Sequence, residues 1–122
     1  MSAPLDEIMR AIIAKLNAEV AMEVRSAPDS GTAMEAVVIR PNLARCFAVL
    51  SEALGPPAKE FGTAAAFDKP TQRFVDGIGG IRKDQSLFLK VGDNQQVGYA
   101  ALWPWASDAT RITVKIGIGK IG

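Results

Sequence analysis

The residues best suited to chemistry in this chain run from Asp76 to Asp84, Asp-Gly-Ile-Gly-Gly-Ile-Arg-Lys-Asp. Glycine lets a backbone approach a ligand closely, and the adjacent cations Arg82 and Lys83 can neutralise a phosphate or a carboxylate. The segment lacks the G-x-x-x-x-G-K-[ST] spacing of a phosphate-binding loop. As a dinucleotide fingerprint it fails on spacing and on context, because no strand leads into it and no long helix follows. The plainer reading is that Gly80 ends a short helix and releases the chain into a strand.

A second group is aromatic. Tyr99, Trp103 and Trp105 alternate along one strand-like segment and so share a face. If residues 106–109 form a four-residue hairpin loop, Trp105 pairs with Thr110, Trp103 with Ile112, Ala101 with Val114 and Tyr99 with Ile116. The aromatics then join an isoleucine-rich core face. A three-residue loop over Asp93, Asn94 and Gln95 would add Leu87, Leu89 and Val91 to the same side. The alternative is an exposed stacking platform flanked by Lys90, Arg111 and Lys115, as in single-strand binders. Pro104 lacks a backbone donor, which makes Trp105 the aromatic expected at the sheet margin.

Other chemistry is thinly represented. Without histidine there is no Ser-His or Cys-His nucleophile and no histidine metal site. The lone Cys46 excludes an intrachain disulfide, a Cys-x-x-Cys pair and a thiolate zinc site, and its place beside Phe47 on an amphipathic stretch suggests a buried thiol. Carboxylate pairs such as Asp6 with Glu7 and Glu19 with Glu23 read as solvated faces. No catalytic residue, metal site or cofactor is expected.

Fourteen basic and thirteen acidic side chains leave a net charge of +1, which provides no general attraction to nucleic acid or an anionic membrane. The distribution is uneven: residues 1–68 carry six basic and nine acidic groups, residues 69–122 eight and four. No apolar run reaches the 18 residues of a membrane span, no signal peptide is recognisable, and the cysteine usage fits a cytoplasmic location.

The elements follow from periodicity. Leu5, Ile8, Met9, Ile12, Ile13 and Leu16 mark an amphipathic helix, with Ser2 as cap, Pro4 in its first turn and an end near Asn17. Alternation from Val20 to Arg25, turn formers at 27–31 and the β-branched run Val37-Val38-Ile39 predict a hairpin over 20–40. Pro41 opens a second helix whose stripe of Leu43, Phe47, Leu50 and Leu54 ends at Gly55-Pro56-Pro57. Irregular chain anchored by Phe61 and Phe67 precedes a short helix from Pro70 to Gly77. Three strands follow, Gln85 to Val91, Val97 to Trp105 and Thr110 to Ile118.

The expected fold is one α+β domain over 1–122, an antiparallel sheet of about five strands in the order α-β-β-α-α-β-β-β with helices packed on one face. In the C-terminal segment Ile116, Ile118 and Ile121 are interspersed with Gly117, Gly119 and Gly122, so another element is expected to pack closely there. That element belongs either to the same chain or to a partner subunit at a sheet edge. The expected function is a non-catalytic binding or accessory protein, homodimeric, with a small anionic-ligand or protein-partner site at Gly79, Gly80, Arg82, Lys83 and Trp105. The alternatives are a histidine-independent enzyme with an acidic or lysine-containing pocket, and a single-stranded nucleic-acid binder.

Overall fold

A computed structural model describes residues 4–64 and 66–121; Ser2, the expected cap, and Gly122 lie outside them. The first helix, α1 (Leu5–Glu19), buries Leu5, Met9, Ile12, Ile13 and Leu16, the stripe its three- and four-residue spacing requires. It passes Asn17 and stops at Val20, whose N–H still bonds to the Leu16 carbonyl while its backbone turns extended. Strand β1 (Glu23–Ser26) therefore starts later than the alternation from Val20 implies. Strand β2 (Met34–Ile39) completes the hairpin, and Pro41 sits in a 3-10 turn (Arg40–Asn42) leading into α2 (Leu43–Leu54). Gly55 ends α2 in a positive-φ conformation (φ 82°).

The third helix, α3 (Lys69–Ile78), begins where the Asp68 carboxylate accepts the Thr71 N–H at 2.9 Å. Strands β3 (Ser86–Val91), β4 (Gln96–Pro104) and β5 (Arg111–Lys120) follow. The sheet is antiparallel in the order β1-β2-β5-β4-β3. Its C-terminal strand is thus central, and its glycines are met by this chain's own aromatics, Gly117 by Tyr99 and Gly119 by Phe74.

The two long helices share one face of the sheet. There Phe88, Leu102, Ile112, Val114 and Ile116 meet Met9, Leu16, Val49 and Leu50 in the larger core. The alternate strand residues Leu87, Tyr99 and Ala101 form a smaller cluster with Val75, Phe74 and Ile78 of α3.

One register differs from expectation. Trp103 pairs with Thr113 and Tyr99 with Gly117, while Ala100 pairs with Ile116. The Trp105 N–H bonds to the Arg111 carbonyl at 2.9 Å, so the loop spans five residues, 106–110, rather than four. A slip of one residue exchanges faces, and the aromatics stand with α3 instead of the isoleucines. The loop over Asp93, Asn94 and Gln95 does have three residues, closed by the Gly92 N–H on the Gln96 carbonyl at 2.8 Å. Leu89 accordingly pairs with Tyr99. Lys90 lies on the opposite face, beside Pro4, Leu5 and Ile8, so it cannot flank the tryptophans.

Candidate functional site

The glycine turn sits where α3 runs out. Gly79 (φ 125°) and Gly80 (φ 81°) adopt conformations that only glycine takes without strain. Their N–H groups bond back to the Asp76 carbonyl at 3.3 Å and the Val75 carbonyl at 2.9 Å. Both amides thus close the helix, and an anion here would be held by side chains instead. The bare backbone also seats an aromatic: a Cβ on Gly79 would stand 3.1 Å from the Trp103 ring. The Trp103 indole N–H in turn donates to the Gly80 carbonyl at 3.1 Å.

Beyond the glycines the loop is shaped from beneath by Lys59. Only 3% exposed, it donates from Nζ to the carbonyls of Arg82 at 2.8 Å, Lys83 at 2.6 Å and Gln85 at 2.6 Å. An ammonium has three N–H groups, and here each has an acceptor. Burial lowers the pKa of this amine, the nearby Asp84 charge opposes that and Lys83 adds to it. The carbonyl cage favours the protonated form. Lys59 therefore acts as a structural cation, and it does not line the recess described below. Gln85 finishes the frame by accepting the Arg82 backbone N–H on Oε1 at 2.6 Å.

The opposing wall comes from β4 and β5. The Trp105 indole N–H donates to Thr113 Oγ1 at 2.8 Å. The Arg111 guanidinium lies 5.5 Å from the Trp105 ring centre, and the Lys115 ammonium 5.7 Å from that of Trp103. Lys115 also donates to the Ile78 carbonyl at 3.3 Å, while Arg111 pairs with Asp108 at 3.3 Å and Glu23 at 3.9 Å. The two tryptophans are half-buried.

Between these walls lies an open recess of about 610 Å³, lined among others by Gly79, Gly80, Arg82, Gln85, Trp103 and Trp105. Four of the five expected residues thus meet. Lys83 does not line the recess; its side chain is exposed and its carbonyl accepts from Lys59 and from the Gly62 N–H at 2.7 Å. Lys59, Gln85 and Thr113 had no signal in the sequence, since each contributes through a contact that only the fold creates. The Arg82 side chain makes no hydrogen bond or ion pair among the described residues and is exposed at the rim.

The other candidates resolve simply. Cys46 is fully buried and desolvation pushes its thiol up to about 12, so it is inert. Glu19 is paired with Arg45 and Lys15, Glu23 with Arg25, and Asp6 with Arg10, all on exposed surface. Among the described residues no group of three or more Cys, Asp or Glu is placed to hold a metal ion, and no helix is long and apolar enough to cross a membrane. No protein-family model matches the chain, and no curated protein or solved structure does either.

Proposed function

We propose that the chain is a non-catalytic binding protein that holds a small anionic ligand in the recess between the glycine turn and the tryptophans. Arg82 supplies the charge at the rim, and the indoles of Trp103 and Trp105 supply an apolar wall. The observation that carries this reading is the convergence on one recess of both tryptophans of the chain, the glycine turn and a guanidinium with no partner among the described residues. Sites for small molecules are commonly concave and mostly apolar, with a few polar groups that fix orientation. Stacking of single-stranded nucleic acid is less well supported, because Arg111 and Lys115 already lie over the indole rings and Lys90 is on the other face.

Tryptophan emission tests the proposal directly, since both emitters wall the recess. Phenyl phosphate should change the emission saturably, and inorganic phosphate and phenol should do so only at much higher concentration. Arg82→Ala should weaken phenyl phosphate binding by roughly tenfold, the worth of one charge-assisted contact. Lys83→Ala should leave it unchanged. A folded Arg82→Ala variant that binds as well as the parent removes the site. A homodimer is part of the same reading, because a second copy would cover the apolar groove formed by Ile8, Ala11, Val49 and Ala53 between α1 and α2. Sedimentation velocity counts the subunits; a monomer at all concentrations ends that part.

A further inference from the structure

Arg82 lies outside any helix or strand, between the glycine turn and β3, and its side chain is exposed. Irregular chain of this kind ordinarily lets a long cation wander, and binding then costs the entropy of ordering it. Here the backbone of Arg82 is held on both sides. Its N–H donates to Gln85 Oε1 at 2.6 Å, and its carbonyl accepts from Lys59 Nζ at 2.8 Å and from the Gln85 N–H at 3.0 Å.

The two residues that hold it are themselves fixed. Both are buried, Gln85 at 6% exposure and Lys59 at 3%. Lys59 exchanges backbone bonds with Leu87 of β3: its N–H reaches the Leu87 carbonyl at 3.2 Å, and its carbonyl accepts the Leu87 N–H at 3.0 Å. The same Lys59 carbonyl accepts the Ser86 hydroxyl at 2.8 Å. Strand β3 pairs in turn with β4, the strand that carries Trp103. The Arg82 backbone is thus tied to the indole wall through buried contacts rather than through the loop alone.

We propose that Gln85 and Lys59 are positioning residues: by gripping the N–H and the carbonyl of Arg82 they fix its backbone at the rim of the tryptophan recess before a ligand arrives. This inference rests on the anion-binding reading of that recess. It assigns part of the affinity to bonds that order Arg82 rather than to contacts with the ligand. Gln85 also lines the recess, so direct contact with the ligand is its competing role, whereas Lys59 does not line it.

A double-mutant cycle separates the roles, with phenyl phosphate titrated by tryptophan emission. Gln85→Met and Lys59→Met should each weaken binding by roughly three- to tenfold. Added to Arg82→Ala, neither should cost more than about a further twofold, because the side chain they position is already gone. Losses that multiply in full show action independent of Arg82 and overturn the proposal. A folded Gln85→Met or Lys59→Met variant that binds like the parent does the same. If a variant does not fold, hydrogen exchange in the parent decides: the Arg82 amide should be protected without ligand, and phenyl phosphate should add little. An amide protected only once phenyl phosphate is present refutes positioning in advance. Failure of the underlying reading looks different, since the parent then does not bind phenyl phosphate or Arg82→Ala leaves its binding intact.

Discussion

Along β4 neighbouring residues enter two different environments. Ala100 and Leu102 face α1 and α2 in a cluster of aliphatic side chains and Phe88, whereas Tyr99, Ala101 and Trp103 face α3. On the first side two helices of fifteen and twelve residues cover the strands, and the side chains there do little but exclude water. On the second side one ten-residue helix covers only part of the sheet. The uncovered remainder carries Thr113, Lys115, Glu35 and two half-buried indoles, and the recess of the proposed function opens there. The same backbone thus supports a closed face that stabilises and a partly open face that can bind. The difference arises from how much helix lies over each side.

The largest expected effect tests the closed face. Phe88 is fully buried and meets Phe47 edge-on with ring centres 5.0 Å apart. Phe88→Ala should lower the unfolding free energy by roughly 3–5 kcal/mol in a denaturant titration. A loss below about 1 kcal/mol would mean that this face is not the main source of stability.

Cys46 gives a pH-dependent version of the same test. Its thiol is pushed from 9.0 to about 12 by burial. The unfolded chain releases this proton above roughly pH 8.5, while the folded chain keeps it. Stability contributed by the raised pKa is therefore complete below that point and falls as pH rises toward about 12, by roughly 1.4 kcal/mol per unit from this group alone. Cys46→Ala should show a shallower alkaline decline than the parent. Parallel curves would mean that the thiol is not closed off from water.

The smallest effect belongs to the open face. Trp103→Phe removes the hydrogen bond to the Gly80 carbonyl but keeps an aromatic ring over Gly79. The expected loss is roughly 0.5–1.5 kcal/mol. A cost equal to that of Phe88→Ala would abolish the distinction between the faces.

Element types and order were legible because the helical stripes and strand alternation are strong and glycine or proline marks most boundaries. Register was less so. One residue too few in the loop after Trp105 reversed the face of three aromatics, and nothing local in Ala106-Ser107-Asp108-Ala109-Thr110 announces a five-residue connection. Gly79, Gly80, Arg82 and Trp105 could be grouped from type alone, since glycine, cation and aromatic are unusual neighbours for a plain turn. Lys59 could not, because a single lysine in irregular chain carries no period. Tyr99 was visible as an aromatic, but its close approach to Gly117 is a consequence of the register.

The three bonds from Lys59 reach 23, 24 and 26 residues along the chain and so encircle α3 in a closed loop. They work as a non-covalent crosslink, holding down the entropy of the segment that contains the helix. The chain thus leaves the sheet before α3 and rejoins it after α3 at nearly one point, so the helix is carried on a closed base rather than on two separate hinges.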